Sequence, residues 1–234
     1  MFVHGWCCDH TFFQPQCDHF KSSHRVVALD LRGCGGSDKP EDGYDMPTLA
    51  DDVATLSREL GLTRPVIVGH SLGGMIAIEM AARQPSLVGA VVAVDPGPID
   101  PLPQTLRVFE ALIDQLEGPD PDAARLAYVE SMFLDTDDPQ RRRHIVATMC
   151  SAPRSVAIAV LRGVVSWNGV GALLTAKAPL LVVRPKTGGS NDPARLLALR
   201  PDIRIGVTVG AGHFNQLEVP EQVTPMIERF LIAT

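Results

Sequence analysis

Short apolar runs recur along the chain at residues 2–3, 25–29, 65–68, 88–94, 179–183 and 203–209. In the clearest of them, such as 88–94, the apolar residues are continuous rather than alternating, so both faces of the strand are covered. Between these runs the spacing shifts to that of helices. Residues 46–60 carry Leu49, Val53, Leu56 and Leu60 on one face and stop at Gly61. Further helices are predicted over 12–20, 72–83, 193–199 and from about 220 to 232. Strands alternating with helices, each strand apolar throughout, predict an α/β fold around a mostly parallel sheet of about six strands.

The alternation fails between the fourth and fifth apolar runs. Pro96, Pro98, Pro101 and Pro103 break the chain, and amphipathic helices follow without a strand signal, among them 106–116, 123–133 and 140–149. The expected organisation is therefore a core of residues 1–96 and 177–234, with a helical cap over 97–176 that should set substrate choice. Phe109, Met132, Phe133, Met149 and Trp167 are its candidate lining residues.

Composition narrows the partners. A formal charge of −6, from 21 basic and 27 acidic side chains, leaves no basic face for phosphates, so nucleic acid is not expected. No run approaches the about 18 apolar residues of a membrane span. Met1 leads directly into a strand, without the charged and apolar regions of a leader. Five cysteines, odd in number and unevenly spaced, read as reduced thiols in a cytoplasm. A homodimer is compatible with all of this.

The chemistry is most legible at Val66-Ile67-Val68-Gly69-His70-Ser71-Leu72-Gly73-Gly74, where a β-branched run enters G-x-S-x-G and a helix leaves it. A strand, a sharp turn and a helix place Ser71 at an apex, in a strained conformation, with free N–H groups beside it. Gly69 and Gly73 are expected because a Cβ at either would strike the neighbouring strand or helix. A serine hydroxyl is a poor nucleophile without an adjacent base. His213, in G-x-G-H-F-x-x-x-E-x-P after the last strand, is the histidine placed to be one. An oxyanion needs two convergent amides. Leu72 supplies one, and Trp6, behind Gly5 in the loop after the first strand, supplies the other.

These motifs together (HGW, D-L-R-G-x-G-x-S, GHSLGG and GHF) resemble the α/β-hydrolase family, in its cap-bearing serine esterase branch, over essentially the whole chain. The family usually carries two more strands before HG, which are expected to be missing here. The resemblance implies a Ser71–His213–acid triad, no metal or organic cofactor, and a small, largely apolar carboxylic ester as substrate, with a lactone as a variant. The family's acid most often follows the penultimate strand, where this chain has Thr187. Two carboxylates remain. Asp192 precedes Pro193 in the manner of a helix N-cap. Asp95 ends the strand next to the nucleophile strand, where some members carry their acid, and it is the assignment adopted, with Asp192 as the alternative.

His4-Gly5-Trp6-Cys7-x-Asp9-His10, together with an acid at Asp95, also resembles the cofactor-independent quinolone 2,4-dioxygenases. Those use this fold with a histidine–acid pair that deprotonates an aromatic hydroxyl. C–C bond hydrolysis is a further alternative. His4, Cys7, Cys8 and His10 could be read as a metal cluster, but no second pair at ligand spacing supports one. Asp30, Arg32 and Asp38 are expected to fix a loop, and Gly33–Gly36 lacks the lysine of a phosphate loop.

Overall fold

The computed structural model of the chain describes residues 1–234. Six strands, β1 (Phe2–Val3), β2 (Ala28–Leu29), β3 (Val66–His70), β4 (Ala90–Val94), β5 (Leu180–Pro185) and β6 (Arg204–Thr208), form one sheet in the order β2-β1-β3-β4-β5-β6. Every pairing is parallel. The central strands show why their runs are continuously apolar. Ile67, Val91, Ala93, Leu180 and Val182 enter one core, while Val68, Val92, Val94, Leu181 and Val183 enter a second core on the opposite face. The first face is covered by α2 (Met46–Glu59) and α3 (Leu72–Arg83), the second by α1 (Gln14–Phe20) and α11 (Pro220–Ile232). No single helix is long and apolar enough to cross a membrane.

Five helices lie between β4 and β5: α4 (Pro103–Glu117), α5 (Pro121–Glu130), α6 (Pro139–Ser151), α7 (Arg154–Ser166) and α8 (Gly169–Thr175). Each of α4 to α6 begins with proline as its first residue, where a missing N–H costs nothing, and Asp120 and Asp138 cap α5 and α6. The last two helices carry no distinct signal in the sequence. Helix α7 is rich in valine and isoleucine and contains Gly163, whose absent side chain lets the helix meet the carbonyl of Tyr44, 2.4 Å from where a Cβ would stand. Strands are shorter than the apolar runs at both edges. Residues 25–27 stay outside β2, although the Val27 carbonyl still accepts from the Phe2 N–H at 2.7 Å. A parallel sheet presents its functional loops at the carboxyl ends of the strands, above all where the strand order reverses. Here the chain runs outward from β1 to β2 and from β3 to β4, so that point falls between β1 and β3.

Candidate active site

The loops leaving β1 and β3 carry Gly5-Trp6 and Ser71-Leu72, and both flank the reversal point. The turn after β3 is as tight as its glycines suggest. A Cβ on Gly69 would stand 2.0 Å from the carbonyl oxygen of Gly73 in α3, and one on Gly73 would stand 2.1 Å from that of Val3 in β1. Ser71 is consequently held at φ 53° and ψ −116°, outside the regions a serine normally occupies. Backbone bonds hold it there. Its N–H donates to Val94 at 3.0 Å, and its carbonyl accepts from Gly97 at 3.1 Å, tying the turn to the end of β4.

Leu72 opens α3, so its N–H has no intrahelical acceptor, and the Trp6 N–H donates to no backbone carbonyl. Gly5 makes the approach of the two loops possible: a Cβ there would lie 3.0 Å from His70 Nδ1 and 3.2 Å from Ser71 Cβ. The Trp6 side chain is buried, and its Nε1 donates to the carbonyl of Ala157 in α7 at 3.0 Å.

His213 is brought to the same place from the other half of the chain. Its Nδ1 lies 2.7 Å from Asp95 Oδ2, a carboxylate buried at the end of β4 with φ 37°. With Nδ1–H donating to Asp95, Nε2 is left as an acceptor. Asp192 is not at the site. It is exposed and caps α9 (Pro193–Leu199), accepting from the Ala194 N–H at 2.8 Å. Where the resemblance led one to look for the acid, the chain instead makes a turn of Gly188 and Gly189, both at positive φ. A Cβ on Gly189 would stand 3.0 Å from Asp95 Oδ1, so this turn folds closely over the carboxylate supplied by β4.

Three further residues position these groups: Glu218 and Asn191, to which the sequence assigns no role, and His70, expected from its place beside the serine to pack or hydrogen-bond within the elbow. Glu218 accepts from the N–H groups of Gly212 and, at 2.9 Å, Phe214, clamping the backbone on either side of His213. Burial raises its carboxyl above the ordinary glutamate value. The glutamate of the G-x-G-H-F-x-x-x-E motif was visible, but nothing in a spacing says that its oxygens turn back to the loop. His70 sits against His213, with ring centroids 4.7 Å apart, and its Nε2 donates to the His213 carbonyl at 2.9 Å. Burial holds its imidazole well below the ordinary histidine value, so it stays neutral. Asn191 joins the loops after β4 and β5. Its Nδ2 donates to the carbonyls of Pro96 and Gly97 at 2.9 and 3.0 Å, and its Oδ1 accepts from Ile99 N–H at 2.8 Å.

Ser71, Leu72, Asp95, His213, Gly5 and Trp6 all border one cavity of about 400 Å³. Phe109, Met132, Phe133 and Met149 line it from the inserted helices, as expected for a wall that contacts substrate. Trp167 does not border it and instead donates from Nε1 to Glu79 on α3 at 2.8 Å, as a staple between the insertion and the core. No lysine or arginine lines the cavity. The residues weighed as a metal cluster are engaged separately. His4 Nε2 accepts from the Leu31 N–H at 2.9 Å, and His10 Nδ1 meets Asp30 at 2.9 Å. Asp30 also accepts from Gly36 N–H, which makes it the loop-fixing residue expected.

The chain as a whole is similar to known proteins. The 2-(acetamidomethylene)succinate hydrolase of Mesorhizobium japonicum is 29% identical over 253 residues, an alignment covering 100% of this chain and 87% of that protein. The crystal structure of E-2-(acetamidomethylene)succinate hydrolase superposes with a TM-score of 0.81 at 27% identity, over 98% of this chain and 90% of that one. Est816, described as an N-acyl homoserine lactone degrading enzyme, superposes with a TM-score of 0.84 at 26% identity, covering 98% and 91%. The family model described as the alpha/beta hydrolase family matches residues 1–225, so nearly the entire chain, inserted helices included, belongs to that family of enzymes.

Proposed function

We propose that this hydrolase cleaves small, uncharged, largely apolar carboxylic esters, lactones among them, through an acyl-enzyme intermediate formed on Ser71. The observation that carries the reading is the Asp95–His213 hydrogen bond of 2.7 Å, in a cavity shared with a serine held at an apex. His213 Nε2 takes the proton of Ser71 as its Oγ attacks the ester carbonyl. The Leu72 and Trp6 amides receive the developing oxyanion, and Asp95 stabilises the imidazolium that forms. His213 returns the proton to the departing alkoxide. It then activates the water that releases the acid and restores Ser71. The inserted helices serve as the cap that selects the substrate.

Charge argues for a neutral substrate. A succinate, as in the name of the Mesorhizobium relative, carries carboxylates that need a cation or several donors when taken out of water. The cavity wall here offers no cationic side chain of lysine or arginine. A series of p-nitrophenyl esters of increasing acyl length, run with and without a serine-directed phosphonate, tests the proposal. Hydrolysis abolished by the phosphonate, and reduced by several orders of magnitude in Ser71→Ala, is the expected result. Retention of more than about a tenth of the activity in Ser71→Ala overturns the serine mechanism. That outcome favours the reading in which the Asp95–His213 pair acts on the substrate directly, as in the dioxygenases that share the histidine–acid arrangement.

A further inference from the structure

The cavity wall contributed by the insertion is apolar except for two hydroxyls, those of Tyr128 and Ser131. Helix α5 brings Tyr128 to it, and Met132, Phe133, Met149, Leu161 and Val164 line the same cavity. The ring of Tyr128 stands edge-on to Trp6, with centroids 5.7 Å apart and planes at 80°. Trp6 is in turn anchored to Ala157, so the phenol is held against the loop that passes Ser71 at Gly5. Its hydroxyl has no hydrogen-bond partner in the protein, and burial alone pushes the phenol up to about 12. It is therefore a protonated donor throughout any ordinary working range. The neighbouring hydroxyl of Ser131 is occupied, donating to the Tyr128 carbonyl at 2.6 Å. A fixed O–H in an apolar wall, with its donor unspent, is the kind of polar group that orients a ligand in an otherwise greasy pocket.

We propose that Tyr128 is a specificity-determining residue, donating its hydroxyl hydrogen to an uncharged acceptor oxygen that the substrate carries in addition to its scissile carbonyl. The substrate class is thereby narrowed from plain alkyl esters to esters or lactones bearing a keto, ether or amide oxygen. The inference rests on the ester-hydrolase reading for the identity of the scissile group. Its own content, a hydrogen bond from Tyr128, is separable from catalysis.

Isosteric pairs of p-nitrophenyl esters separate the two: methoxyacetate with butanoate, 3-methoxypropanoate with pentanoate, and 4-oxopentanoate with 4-methylpentanoate. Binding of each is measured by titration into Ser71→Ala and into Ser71→Ala/Tyr128→Phe, and kcat/KM is measured in the wild type and Tyr128→Phe. Phenylalanine keeps the ring against Trp6, and an unchanged melting temperature verifies that the wall is intact. For at least one pair, removal of the hydroxyl should weaken the oxygenated ester about five- to tenfold more than its alkyl twin, the worth of one neutral hydrogen bond. Equal losses within every pair, or no binding of any oxygenated ester, overturn the role of Tyr128. Turnover of these esters that persists in Ser71→Ala overturns the serine reading instead, and leaves the pairwise comparison to judge Tyr128.

Discussion

At the scale of single residues, the placement of the acid is the most consequential feature of the site. An aspartate at the end of β4 reaches His213 because β4 lies next to β3, so the carboxylate and the serine emerge from adjacent strands. If Asp95 orients the imidazole, Asp95→Asn should lower kcat by about 10³–10⁴-fold, since an amide in its place favours the wrong tautomer. Asp192→Ala should leave kcat near the wild-type value and reduce stability by about 1 kcal/mol through the lost cap of α9. Steady-state kinetics and urea unfolding of both variants check this, and the opposite ranking would refute the assignment. Tyr128 belongs to the same scale. A phenol contributes little to packing beyond what phenylalanine would, so an oxygen without a protein partner points to a ligand.

At the scale of elements, the site depends on loops that fasten one another. Three of them converge: the turn into α3, the loop after β4 held by Asn191, and the His213 loop held by Glu218 and His70. Glu218 accepts from amides on both sides of His213, so its removal should let the imidazole drift while leaving the core intact. Glu218→Ala is expected to lower kcat about 10- to 100-fold, as a displacement of about 1 Å would. Glu218→Gln should fall between it and the wild type, because a single amide oxygen can accept from one N–H while its NH₂ faces the other. Wild-type kcat in Glu218→Ala would show that the loop needs no clamp.

At the scale of the whole molecule, burial sets how stability responds to acid. His70 lies under the site, between the elbow and the His213 loop, and burial depresses its affinity for protons. In the unfolded chain it takes up a proton near the ordinary histidine value of about 6.5. Stability from a neutral buried His70 is thus fully present above that pH and is lost as the pH falls below it. Glutamine can donate to the His213 carbonyl but cannot titrate. The stability advantage of the wild type over His70→Gln should therefore shrink below about pH 6.5, by at most about 1.4 kcal/mol per pH unit. Urea midpoints of the two proteins from pH 8 to pH 5 measure this directly. A constant difference across that range would mean that His70 takes up its proton as readily in the folded chain as in the unfolded one. Taking the difference between the two proteins cancels the titrating groups that do not interact with His70.

Much of this was written into the sequence because it follows from short-range rules. Continuous apolar runs require a doubly covered parallel sheet, and the glycines on either side of Ser71 require a turn with no room for a Cβ. Prolines and aspartates mark where α4 to α6 and α9 begin. These are consequences of sterics and burial within a few residues, and they located Ser71, Leu72 and, by its place after the last strand, His213. What remained open involved partners far apart in the chain. Asp95 and Asp192 are both plausible acids by local context, and only the order of strands in the sheet decides which one meets His213, 118 positions away from Asp95. Glu218, His70 and Asn191 look like ordinary polar residues until the loops they join are brought together. Trp167, an aromatic that could have faced substrate, spends its indole on Glu79 instead. Hydrogen bonds of this kind are directional and short-ranged in space but not in sequence. They become legible only when packing has set which loops are neighbours.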